Sequence, residues 1–229
     1  MKIVHYPGSF LPQIGGAEII VHNLATVQVE RGNSVFIIAP NLKKAHLEGI
    51  GSINYKIIRP IKFSFSLAQK FSKHNKIFDW IIQKQIQEFQ LKYQFDIWHF
   101  NLLGPNNLKA VEVLSKMKVP TVGTFRGSDI QCYPKVNYGQ RRDTYYNNLL
   151  KKNIHYFDSL TAISDSIVQE YLSLGIEKSK IRKIPNFIDL SRYRLKSINK
   201  NVIREKYGIP SKDKIILTVG RNHKKKGYS

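Results

Sequence analysis

Short apolar runs rich in β-branched residues alternate with segments whose apolar residues recur every three or four positions. This alternation narrows the fold more than any other feature of the chain. Lys2-Ile3-Val4-His5-Tyr6 stops at Pro7-Gly8 and reads as a buried strand. Over residues 17–31, Ile20, Val21, Leu24 and Val27 fall at helical spacing, and Gly32-Asn33 ends that helix. Ser34 to Ala39 is a second buried strand, closed by Pro40. The same reasoning predicts strands at 55–58, 96–100, 119–125, 160–163 and 181–184. Helices are predicted over 67–93, 105–117 and 141–157, and from a Ser164 or Asp165 cap to Leu174, where Gly175 stops the last. Near-continuous apolar strands separated by helices predict an α/β fold: a Rossmann-like parallel sheet with helices on both faces.

The character of the chain changes after Pro185. Residues 1–185 read as one domain and residues 186–213 as a polar, basic linker with a short helix at 201–207. Lys214 to Gly220 is a further apolar run, expected to be the first strand of a second Rossmann-like domain over 214–229. A strand needs neighbours, and few residues follow it, so a truncated second domain is expected.

Composition excludes several classes. The single cysteine, Cys132, allows no internal disulfide and no cysteine-built zinc site. The first eight residues are too short and too broken by Pro7-Gly8 for a signal peptide. No stretch approaches the roughly 20 apolar residues of a spanning helix. A cytoplasmic protein is expected, with room for peripheral attachment to a membrane. The formal net charge of +21 favours nucleic acid, anionic lipid or phosphorylated ligands as partners, although general composition alone yields such a charge. No spacing of metal ligands, phosphate-binding Walker loop, Ser-His-Asp set or RNA-binding signature is present, so no metal or cofactor is expected.

Several motifs sit where ligands bind in open parallel sheets, at the carboxyl ends of strands. Gly15-Gly16 lies between a strand and a helix, where two glycines let a backbone approach phosphate and where a helix start offers free N–H groups; a plain turn fits equally. Phe125-Arg126-Gly127-Ser128-Asp129 follows a strand end, so Arg126 is placed to grip phosphate or a sugar hydroxyl; a surface Arg126–Asp129 pair fits the same residues. His99 falls inside an apolar strand and reads as a core histidine, whereas Asn101 stands at the strand end. Arg221 to Gly227 is a basic loop after a strand, suited to pyrophosphate or simply solvated. Residues 61–93 mix aromatic and aliphatic residues with lysines, as in an anionic membrane interface or a core helix with a wet basic face.

Taken in order, these pieces resemble the N-terminal half of the retaining, sugar-nucleotide-dependent glycosyltransferases of the GT-B fold, group 1 or family 4. The ordered set is Gly15-Gly16-Ala17-Glu18, Asp96-Ile97-Trp98-His99-Phe100-Asn101, Thr124-Phe125-Arg126-Gly127-Ser128-Asp129, Thr161 to Ile167, Ile184 to Asp189, and Leu217 to Arg221 with Lys226-Gly227. The resemblance implies an acceptor-binding N-terminal domain facing a donor-binding C-terminal domain across a cleft. It implies that Gly15, Gly16, Arg221 and Lys226 contact the donor phosphates. Arg126 would be the catalytic contact to sugar or phosphate, and Asn101, Ser128, Asp129 and Asn186 would line the acceptor side of the cleft. Two departures stand out. Arg126 replaces the family's usual His, and a guanidinium cannot serve as a general base; Asn101 replaces the second His of a His-x-His run. The paired glutamates that hold the donor in the family's C-terminal domain are not among these residues.

The resemblance therefore implies hexosyl transfer from a nucleotide-diphosphate sugar to a lipid-linked or saccharide acceptor, in cell-surface polysaccharide or glycolipid synthesis. The 229-residue chain alone is expected to be inactive. Two other readings stand beside it: a non-catalytic acceptor-binding subunit whose partner chain carries the donor domain, and a basic nucleic-acid-binding protein.

Overall fold

The computed structural model describes residues 1–11, 15–39, 53–60, 76–188, 199–220 and 222–227, the side chains of 76–78 excepted. The chain divides into two compact units, Met1–Asn186 and Phe187–Ser229.

The first unit is built on seven parallel strands: β1 (Lys2–Pro7), β2 (Ser34–Ile38), β3 (Lys56–Ile58), β4 (Ile97–Asn101), β5 (Thr121–Phe125), β6 (Ser159–Ala162) and β7 (Ile181–Lys183). Their order in the sheet is β3-β2-β1-β4-β5-β6-β7. Among the described residues, five helices lie between them: α1 (Gly16–Glu30), α2 (Lys76–Tyr93), α3 (Pro105–Lys116), α4 (Thr144–Asn153) and α5 (Asp165–Ser173). The predicted α/β Rossmann-like sheet is what the chain forms. Element ends shift by one to three residues, and the long helix expected at 141–157 is a ten-residue α4 flanked by 3₁₀ turns at Gln140–Arg142 and Ile154–Tyr156. The part of the 67–93 prediction before residue 76 lies outside the described residues.

The strand order explains why the sheet is doubly covered. From β1 the chain steps toward one edge through α1, and from β4 it steps toward the other through α3, α4 and α5. Parallel crossovers are right-handed, so the two directions place their helices on opposite faces. The core splits accordingly. Ile3, Val35 and Ile37 pack with Val21 and Ala25 of α1 on one side. Val4, Tyr6, Trp98, Phe100 and Phe125 pack with residues of α3, α4 and α5 on the other. The order reverses between β1 and β4, and ligands of such sheets bind outside the strand ends at that reversal. There the two segments touch: Gly8, just after β1, donates its N–H to the Asn101 carbonyl at 2.9 Å. A Cβ on Gly8 would lie 1.9 Å from the Leu102 carbonyl oxygen, so only glycine allows this approach.

In the second unit a seven-residue helix, α6 (Lys200–Lys206), starts at Asn199, whose side chain accepts from the Asn201 N–H at 3.0 Å. The strand expected at 214–220, as the start of a second Rossmann-like domain, is not formed: Lys214 to Val219 carry no ladder among the described residues. Ile216, Leu217 and Val219 are at least 80% exposed. The apolar pattern is that of a strand, but a strand is stable only when neighbours accept its backbone hydrogen bonds and cover its face.

Phe100 is fully buried against Trp98, Tyr6 and Phe157, whereas Leu91 on α2 is 71% exposed. Phe100→Ala is expected to cost about 3–5 kcal/mol of unfolding free energy in urea titration, and Leu91→Ala to stay within about 0.5 kcal/mol.

Candidate functional site

The site is assembled at the carboxyl ends of β4 and β5. Strand alternation directs residues 5, 99, 101, 124 and 161 to the α1 side of the sheet, because His5 pairs with His99, Asn101 with Thr124, and Thr124 with Thr161. Where neighbouring positions are apolar, this row is polar.

Arg126 is the first residue after β5. Its guanidinium donates from Nη2 to Asn101 Oδ1 at 2.8 Å and from Nη1 to Asn186 Oδ1. Asn101 is fully buried, Arg126 half-buried and Asn186 exposed. Three residues singled out from the sequence thus meet in one cluster. The alternative of a surface Arg126–Asp129 ion pair is not formed.

Asp129 lies beneath the cluster. It was expected to line the cleft, but it is fully buried, and its oxygens face the backbone. Oδ1 accepts from the N–H groups of Arg126 (2.8 Å) and Gly127 (2.9 Å), and Oδ2 from that of Leu103 (2.9 Å). Burial pushes its carboxyl up to about 6, against the opposing pull of these N–H donors. Its role is to fold the Arg126 loop and tie it to the loop after β4. The tie is doubled by Tyr146, whose hydroxyl lies 2.7 Å from the Asp129 carbonyl and 3.1 Å from that of Leu103. Gly127 enters the turn at φ +123°, a conformation that side chains rarely adopt. Ser128 is half-buried, with its carbonyl held by the Gln140 N–H at 2.6 Å.

Sequence reasoning missed the histidine pair behind Arg126. The rings of His5 and His99 are 5.1 Å apart. His5 Nε2 bonds Gln28 Oε1 at 2.7 Å, and His99 Nε2 lies 2.7 Å from Thr124 Oγ1, which in turn meets Thr161 Oγ1. Burial pushes His5 down to about 4, with Gln28 opposing and the Arg126 charge adding to the fall. His99 is held well below its ordinary value by burial first, then by His5 and Arg126. Both rings are therefore neutral near pH 7. The one available signal was the recurrence of a polar residue at the same depth of two apolar strands, and it is visible only once their register is known.

Gly15 and Gly16, the other expected contacts of the first unit, stand at the start of α1. Gly15 caps α1, but a Cβ there would meet Glu18 Oε2 at 2.6 Å, so its smallness accommodates this chain's own carboxylate, which also accepts from the Ser9 hydroxyl. Gly16 has open space where a Cβ would point. Lys226 belongs to the second unit, where it is exposed in a 3₁₀ turn, and Arg221 lies outside the described residues. In α2, Ile86 is buried in the core while Trp80 is 58% exposed with Lys84 over its ring, so this part of the 61–93 segment is a core helix with a wet basic face. Among the described residues, no helix is long and apolar enough to cross a membrane, and no three His, Cys, Asp or Glu side chains cluster as metal ligands.

The buried ionisable groups act on stability in opposite directions. His5 binds its proton more weakly folded than unfolded, so stability falls as pH drops from about 6.5 toward 4. Asp129 binds its proton more tightly folded, so it adds stability as pH drops from about 6 toward its ordinary 3.8. Asp129→Asn lowers stability at every pH, because its amide nitrogen cannot accept from the backbone N–H groups, and it removes the second pH-dependent effect alone. Its loss of stability between pH 7 and 4 should exceed that of the unsubstituted chain by about 2–3 kcal/mol, read from urea unfolding at each pH; parallel slopes would contradict this account.

The Glycosyltransferase Family 4 model matches residues 14–192 of this chain. The N-acetyl-alpha-D-glucosaminyl L-malate synthase of Bacillus anthracis is 23% identical over 218 residues, covering 94% of this chain and 53% of that protein. The alpha-monoglucosyldiacylglycerol synthase of Streptococcus pneumoniae is 24% identical over 228 residues, covering 96% and 49%. The chain spans about half the length of these curated relatives. Among solved structures, Anabaena Alr3699/HepE in complex with UDP superimposes with a TM-score of 0.59 at 18% identity, over 91% of this chain and 50% of that one, a likeness of fold. With the family model covering residues 14–192, well over half of its 229 residues, the chain belongs to glycosyltransferase family 4.

Proposed function

We propose that this chain is the acceptor-side half of a retaining glycosyltransferase. The reaction moves a hexosyl unit from a nucleotide-diphosphate sugar to a lipid-linked or saccharide acceptor in cell-surface polysaccharide or glycolipid synthesis. The observation that carries the reading is the Arg126 guanidinium, fixed by Asn101 and Asn186 beside the reversal of strand order in a sheet of this family. Support also comes from relatives named as synthases of an N-acetylglucosaminyl malate and of a monoglucosyldiacylglycerol, and from a structural neighbour in complex with UDP.

In this reading the first unit presents the acceptor, and residues 214–229 open the donor side, with Gly15, Gly16, Arg221 and Lys226 toward the donor phosphates. Arg126 is always charged, so its part is electrostatic: a fixed cation that favours negative charge developing on the departing diphosphate, with little reorganisation needed. The neutral His5 and His99 keep further positive charge away from it. A second reading, an acceptor-binding subunit completed by a partner chain, is favoured by the exposed Ile216, Leu217 and Val219. The basic excess suits a site on the inner face of an anionic membrane.

The test is transfer itself. Radiolabelled nucleotide sugars and a lipid extract are incubated with the purified chain, alone and with any chain that co-purifies. Label is expected in the lipid only when a donor-side chain is present. Transfer by the 229-residue chain alone would refute the division into halves, and no transfer in either arm would refute the transferase reading. Binding to anionic liposomes should weaken steadily as salt approaches about 1 M, where the Debye length is about 3 Å; equal sedimentation with neutral liposomes would remove the electrostatic account.

A further inference from the structure

No direct ion pair balances the Arg126 charge; the Asp129 carboxylate supports it only through space. Among the described residues no carboxylate lies within ion-pair distance of its guanidinium. Asp129, three residues on, turns both oxygens to backbone N–H groups. The groups that hold the guanidinium are two neutral amide oxygens. Beside this cation stand two buried polar atoms without partners, Arg126 Nε and Asn101 Nδ2. Both are donors. The Asn101 amide cannot turn to present an acceptor, because its oxygen is committed to Arg126 Nη2. Buried donors ordinarily find acceptors, so two left open on a bonded pair mark a place for a ligand's oxygens.

We propose that Arg126 Nε and Asn101 Nδ2 form the floor of a subsite for an oxyanion, a carboxylate or phosphate group. A neutral hydroxyl would satisfy a donor but leave the cation without a direct counter-ion. An oxyanion satisfies both donors and the charge, and guanidinium forks match carboxylate and phosphate geometry. The inference deepens the transferase reading: it rests on that reading for which molecule carries the anion, but not for the anion itself. The two sources are an acidic sugar or hydroxy acid, through its carboxylate, and a diphosphate-bearing donor or lipid, through its phosphate.

The full chain is titrated at about 0.15 M salt, where surface charges more than about 8 Å apart are largely screened. One arm uses glucuronate against glucose, the other inorganic phosphate and pyrophosphate. The side-chain Nε–H resonance of Arg126, assigned with R126K, is followed by NMR. A chain of +21 attracts any anion loosely, so the deciding quantity is the ratio of Kd values between the unsubstituted chain and variants. R126Q removes the cation. N101D supplies an internal counter-ion by a near-isosteric change and keeps the test decisive should R126Q not fold. Each is expected to weaken binding at least about tenfold, while the Arg126 resonance shifts with the bound probe and glucose leaves it in place. Glucuronate alone acting identifies a sugar acid, and phosphate or pyrophosphate alone acting identifies a phosphoryl group. No binding by the unsubstituted chain, equal binding by N101D, or an unmoved Arg126 resonance overturns the proposal. Those outcomes leave the transferase reading to the transfer assay. Anion binding at Arg126 without transfer in that assay sinks the transferase reading and keeps the subsite.

Discussion

A single carboxylate, that of Asp129, organises the ligand-bearing end of this sheet. Taking a carboxylate out of water is expensive unless donors replace the lost hydration. Here three backbone N–H groups from two separate loops do so. The arrangement works in both directions. The loops gain a shared acceptor that fixes their turn, and the carboxylate gains the donors that let it stay ionised near pH 7. Arg126 inherits its position from this exchange, since its own N–H is one of the three.

The second constraint is the treatment of charge on the α1 side of the sheet. A row of polar side chains crosses β1, β4, β5 and β6 at one depth, yet only Arg126 at its end is charged near neutrality. Burial keeps the two histidines neutral, and the adjacent guanidinium reinforces it. A cation at one point with no direct ion pair is what a site needs to discriminate anions from neutral groups.

Much of the fold was legible because burial and helical period are local properties. The apolar runs at β1, β2 and β5 and the glycine stops at residues 32 and 175 announce themselves within a few residues. Arg126 and Asn101 were readable as polar residues at strand ends, and Asn186 entered through the family resemblance. What was hidden depends on pairing between distant segments. His5 and His99 become neighbours only through a register set 94 positions apart, and Asp129 looks like a surface acid until the Leu103 loop closes over it. The run from Lys214 to Gly220 failed in the opposite sense: its local pattern is that of a strand, but a strand is defined by what lies beside it.

The two amides that hold Arg126 are unlike in one respect. Asn101 is the last residue of a central strand, locked between β1 and β5, whereas Asn186 is the last residue of its compact unit and is exposed. The guanidinium therefore spans two surroundings: its bond to Asn101 lies in the dry interior, where low dielectric strengthens it, and its bond to Asn186 lies at the surface, where water competes for the same amide oxygen.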